Sequence, residues 1–159
     1  PGSPPSPGVA RSFSLDTPVL LIWQPGGSKH TSEYIDHPDW KTNITRAGDA
    51  AVDRLAKKNW NVSVWNELLQ ESQTFGRMSK MLEEPTRQSM LAAVQSTVNE
   101  LDLQARIRVR LCMLGTSCVL LPSKIDHPLE EDELHQLSER LKAHHLESLV
   151  TRIAPQRTV

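Results

Sequence analysis

The chain has 159 residues, of which 38% are hydrophobic and 4% aromatic, and it carries a net charge of −1. That length suffices for one domain with a core, and the near-zero charge supplies no global field to steer a polyanion toward the protein. No apolar run approaches the roughly 20 residues a membrane span needs, and the Pro-rich start lacks the regions of a signal peptide, so an intracellular setting, cytoplasmic or nuclear, is expected.

Residues 1–17 hold Pro1, Pro4, Pro5 and Pro7 among Gly and Ser, a composition that buries too little apolar surface to offset the entropy of ordering. They read as a tail or linker, followed by one globular domain over 18–154 and a polar tail over 155–159. Pro18 to Trp23 is a short apolar run closed by Pro25-Gly26-Gly27, the pattern of a buried strand and a turn. From Ser28 to Thr45 periodicity is weak and Pro38 interrupts it, which predicts a long loop anchored by Tyr34, Ile35 and Trp40.

A first helix is expected from about Ala47 to Lys58, with Ala47, Ala50, Ala51 and Leu55 in one stripe and Asn59 at a left-handed stop. Ser63 then suits the N-cap of a second helix that turns Trp65, Leu68 and Leu69 inward, although Val62 and Val64 also fit a short strand. Met78, Met81 and Leu82 suggest a further turn or two of helix before Pro85. A third helix starts at Pro85 and carries Leu91, Val94, Val98 and Leu101 at helical spacing.

Arg106-Ile107-Arg108-Val109-Arg110-Leu111 alternates strictly, and Cys118-Val119-Leu120-Leu121 follows a Gly-Thr-Ser turn. A hairpin near 106–122 fits this, while Leu103, Ile107, Leu111 and Leu114 also stand at helical spacing. Cys112 and Cys118 in this apolar stretch read as buried thiols rather than a disulfide. The last helix is framed by Asp126 and Pro128 at its start and by Arg140, Lys142, His144 and His145 at its end, with Leu134, Leu137 and Leu141 buried. Leu149, Val150 and Ile153 suit a final strand. The sum is an α+β fold dominated by helices, a compact helical domain with a small β component.

Chemistry is sparse. His30 and His37 stand near Glu33, Asp36 and Asp39 but match no compact ligand spacing, so no metal or cofactor is expected. No nucleophile elbow occurs, neither cysteine has a nearby histidine, and Gly26-Gly27-Ser28-Lys29 lacks the upstream glycine of a phosphate loop; catalysis is not expected. Two surfaces are left. Trp23, Tyr34 and Trp40 are large aromatic residues of the kind enriched at protein interfaces. Arg106, Arg108 and Arg110 on a strand would stand about 7 Å apart, near the spacing of successive phosphates.

Residues 51–71, from Ala51-Val52-Asp53-Arg54 through Trp60 and Trp65 to Glu71, resemble one unit of the half-a-TPR family, with tryptophan at Trp65 and an acid near Glu71. The resemblance implies a helix pair of the type found in scaffolds of RNA-processing assemblies; no second unit follows. The expected function is a non-catalytic protein–protein interaction or scaffold module, a piece of a larger protein or a subunit of a complex. The alternative is an RNA-binding domain that uses the arginine face.

Overall fold

The computed structural model describes residues 13–26, 36–112 and 115–153. In chain order it has β1 (Thr17–Trp23), α1 (Pro38–Leu55), α2 (Trp65–Met78), α3 (Pro85–Glu100), β2 (Ile107–Leu111), β3 (Ser117–Pro122), α4 (Glu131–Leu141) and β4 (Glu147–Ile153). The four strands form one antiparallel sheet in the order β2-β3-β1-β4. This is a helix-rich α+β fold.

One face of the sheet carries the main core. Leu20, Ile22, Ile107, Cys118 and Leu120 alternate onto it and meet Met90, Val94 and Val98 of α3 and Leu134, Leu137 and Leu141 of α4. The opposite face is covered in part by α2, where Trp65 and Leu69 pack with Leu15, Phe13, Leu121 and Ile153. Leu15 is thus buried and Thr17 belongs to β1, so the ordered chain reaches back past the expected boundary at residue 17. The rest of the expected N-terminal tail, 1–12, and the expected C-terminal tail, 155–159, together with residue 154, lie outside the described residues.

The hairpin reading of 106–122 holds: Ile107 pairs with Pro122 and Leu111 with Cys118. The third helix and the final strand also fall where periodicity placed them. Four boundaries differ. Pro38 opens a helix rather than interrupting a loop, because its missing N–H costs nothing at the first helical position, and α1 ends at Leu55, not Lys58. Asn59 is not left-handed; the Trp60 indole N–H donates to the Leu55 carbonyl at 3.2 Å and closes the helix instead. Asn61, not Ser63, caps the next segment, its side chain accepting from the Ser63 amide at 2.8 Å over a turn of 3-10 helix that leads into α2. Finally, α4 starts at Glu131 rather than near Asp126, because Glu130 and Glu133 form a reciprocal capping box.

Two left-handed residues finish helices before strands. Asp102 (φ 55°) and His145 (φ 56°) each sit one step before a leucine whose amide reaches back to the helix, Leu103 to Val98 at 3.0 Å and Leu146 to Leu141 at 3.3 Å. Both are Schellman turns, and their leucines are buried in the core. Among the described residues no helix is long and apolar enough to cross a membrane.

Candidate functional site

Of the four helices α1 is the least buried. Of the 18 residues of α1 only Ala47 is buried, and Val52 is 65% exposed. α1 and α2 run antiparallel, since Lys58 meets Glu67 at 3.3 Å and Arg54 meets Glu71 at 2.6 Å, while Gly48 lies against Phe75.

At the start of α1, Pro38 sets the first turn and places Trp40, half-buried, in the wall of a cleft of about 630 Å3. The cleft runs between this turn and the 80–85 segment, where Lys80 takes a left-handed conformation (φ 62°). Its walls carry both signs, with Asp39, Glu83 and Glu84 against Lys80, and His37 lines it as well. Burial raises the Glu84 pKa, but bonds from the Arg87 amide and from the Thr86 hydroxyl and amide outweigh it and leave the carboxyl below its ordinary range. It therefore caps α3 as an anion, accepting from Arg87 at 2.9 Å. Lys80, Glu83 and Glu84 have no mark in the sequence as partners of Trp40, because only the fold brings the two segments together.

Trp23 lies elsewhere, half-buried at the end of β1, with its indole N–H donating to Glu147 Oε2 at 2.9 Å. Tyr34 lies outside the described residues. The three aromatic candidates therefore do not share one described surface.

The arginines also part company. Arg106 precedes the strand and turns to α4, where it meets both carboxylate oxygens of Glu133 and reaches the Pro128 carbonyl at 3.1 Å. Arg108 donates to Gln104 and, at 2.7 Å, to its neighbour's carbonyl on Ile107. Arg110 is only 9% exposed under α2, donating through Nε to the Leu69 carbonyl at 2.8 Å and through Nη1 to the Val109 carbonyl at 2.7 Å. Burial lowers its pKa, and Arg108 and Arg77 nearby lower it further. Arg77, on α2, is the neighbour that sequence spacing could not reveal.

The thiols are poorly suited to nucleophilic work, which needs the thiolate. Burial pushes Cys118 up to about 12, with Cys112 beside it adding to the shift, and burial raises Cys112 as well. Both are free cysteines. Among the described residues no three His, Cys, Asp or Glu side chains converge in a way that could hold a metal ion. What the arrangement can do is present shape, charge and an indole ring to another molecule.

Comparison with protein-family models, with curated proteins and with solved structures finds no match to this chain.

Proposed function

We propose that this domain is a non-catalytic protein–protein interaction or scaffold module, acting within a larger protein or complex, and that its partner docks in the cleft beside Trp40. The observation that carries the reading is Trp40 itself, a tryptophan held half-buried by a helix turn in the wall of a cleft of about 630 Å3. Interface hot spots are enriched in such residues, seated in partly preformed concavities with a polar rim. The resemblance of residues 51–71, from the end of α1 into α2, to a half-a-TPR unit supports the same reading, as does α1 itself: a helix with one buried residue in 18 leaves most of its surface for contact.

A second reading is RNA binding through the arginine face. In its favour, Arg108, Arg110 and Arg77 have no carboxylate partner among the described residues and raise the local positive potential together. Against it, Arg106 is engaged by Glu133 and Arg110 is mostly buried.

Affinity capture from cell extract, quantified by mass spectrometry at low salt and at about 0.5 M salt, separates the two, because phosphate contacts weaken steeply with salt and apolar contacts do not. Proteins that survive high salt with the native chain and fall at least tenfold with Trp40→Ala support the scaffold reading. RNA recovered at low salt and lost with Arg77→Ser and Arg108→Ser supports the second. Capture unchanged by Trp40→Ala sinks the proposed docking site.

A further inference from the structure

The two outer strands of the sheet are treated differently. On β2 the bonds from the Ser123 amide to Arg106 and from the Cys112 amide to Ser117 mark even-numbered residues as facing β3, so odd-numbered residues face outward. Two of those outward carbonyls, on Ile107 and Val109, are covered by the side chains of Arg108 and Arg110 at 2.7 Å each. Charged side chains folded over an edge are a recognised way to block strand pairing.

The edge at β4 has no such cover among the described residues. The Gln24 amide donates to the Thr116 carbonyl directly opposite it, so even-numbered residues of β1 face β3 and odd-numbered ones face β4. The odd-numbered residues of β4 are thereby paired with β1. Ser148, Val150 and Arg152 turn their N–H and C=O groups outward along a seven-residue strand with no further strand beside it among the described residues. Near the middle of this edge Leu149 is 54% exposed, one of three exposed large hydrophobic residues among those described.

We propose that β4 pairs antiparallel with β4 of a second copy of this chain, about a two-fold axis at Leu149, so that the two sheets become one. The charges on α4 support a second copy over any other strand. This helix lies along β4 in the opposite direction, since Glu131 bonds Arg152 at 2.7 Å and Ser138 bonds Ser148 at 2.7 Å. Its other flank is held by Arg106 through Glu133, so Glu131, His135 and Ser138, with Lys142 in the 3-10 turn that follows α4, form the stripe toward the open edge. About a two-fold axis this stripe complements itself: Glu131, which also holds Arg152, meets the partner's Lys142, whose counterpart in this chain already pairs with Glu139 at 2.6 Å, and His135 meets the partner's Ser138.

The midpoint of that stripe, projected down through the Glu131–Arg152 and Ser138–Ser148 bonds, falls on Leu149. The spacing fits too. α4 packs on both β4 and β1, and strands about 4.8 Å apart put α4 and its partner roughly 10 Å apart across the axis, the upper end of ordinary helix packing. In this register Leu149 and the partner's Leu149 face each other as a non-hydrogen-bonded pair, while Ser148 and Val150 exchange main-chain bonds across the junction.

Sedimentation velocity from about 1 μM to about 500 μM should show a reversible monomer–dimer equilibrium. Leu149→Lys, which changes an exposed side chain and leaves the far-UV circular dichroism unaltered, should weaken dimerisation at least tenfold. Lys142→Glu should weaken it, and adding Glu131→Lys should restore it to within about threefold of the native value. In a Cys112→Ser background Leu149→Cys should form a disulfide across the axis on mild oxidation, because Cα atoms of such a pair lie about 4.5 Å apart. Thr151→Cys, opposite Glu147 in this register, should not. A chain that stays monomeric at every concentration overturns the proposal, as does a dimer indifferent to Leu149→Lys or one that cross-links through residue 151 instead of 149.

Discussion

The indole N–H of Trp65 donates to the carbonyl of Pro122 at 2.9 Å, at the point where the sheet runs out of donors. Continuing the β1–β3 register from Leu20 opposite Leu120 places Pro18 opposite Pro122, and proline has no N–H to give. Trp65, on α2, supplies the missing bond from outside the sheet and buries its ring against Leu15 and Leu69. Trp65→Phe keeps most of the ring but leaves a buried carbonyl without its donor, a loss of about 1–2 kcal/mol. Trp65→Ala adds the cavity and is expected to cost about 3–5 kcal/mol. Urea unfolding followed by circular dichroism checks both, and equal costs for the two variants would show that packing alone matters here.

Arg54 and Glu71 clamp α1 to α2 through a two-pronged contact, Nε to Oε1 at 2.6 Å and Nη2 to Oε2 at 2.7 Å. With Ala47 as its sole buried residue, α1 depends on such rim contacts more than α3 or α4 does. Arg54→Ala is expected to raise amide exchange across residues 38–55 several-fold while leaving α3 and α4 protected. Arg54→Lys should restore little of it, because an ammonium cannot reproduce the planar fork. Hydrogen exchange by mass spectrometry reads each helix separately.

Much of this architecture is legible from periodicity, and the places where it is not have identifiable causes. Leu91, Val94 and Val98 specify α3 because their spacing and Pro85 agree. The stretch from Arg106 to Leu111 satisfies both strand and helix spacing, and what decides is the left-handed turn at Asp102, which stops α3 without a glycine to announce it. Pro38 is ambiguous for a related reason: it breaks a helix from inside and begins one from its first position. The expected arginine row dissolves because Arg106 precedes the strand and has Glu133 within reach, a residue 27 positions away that pairs only once α4 packs. The cleft at Trp40 is likewise tertiary, since its far wall is 40 residues downstream.

Glu133 also makes stability depend on pH. Burial raises its pKa, but the bonds from Arg106 and from the Glu130 amide outweigh that and hold the folded carboxyl below its ordinary value. As pH falls the unfolded chain therefore binds the proton first. The contribution is complete above the unfolded glutamate value of about 4.3 and is lost as pH drops through the lower folded value. The urea midpoint should accordingly decline from about pH 5 downward. Arg106→Ala should make that decline shallower without removing it, because Glu84, also held below its ordinary range, keeps its own share. A decline equally steep in the variant would mean that the Arg106–Glu133 pair contributes nothing to acid sensitivity.

Backbone preference is spent against itself at two positions, and correcting each should stabilise the fold. Gly48 sits inside α1 with Phe75 Cε2 at 4.0 Å from where a Cβ would stand, which is ordinary contact. Gly48→Ala should therefore gain roughly 0.5–1 kcal/mol from helix propensity. Gly76, inside α2, offers less, because a Cβ there would press on Leu82 at 3.3 Å. His145 presents the reverse case: a side chain held at φ 56°, where glycine alone escapes the steric cost. Its imidazole is exposed and bonds nothing in the Schellman turn, which is made by main-chain groups. His145→Gly should add about 1 kcal/mol. Because Gly48 and His145 belong to different elements with no shared neighbours in those contacts, the double variant should gain close to the sum of the two. A His145→Gly protein less stable than the native one would mean that the imidazole holds this turn in a way its exposure conceals.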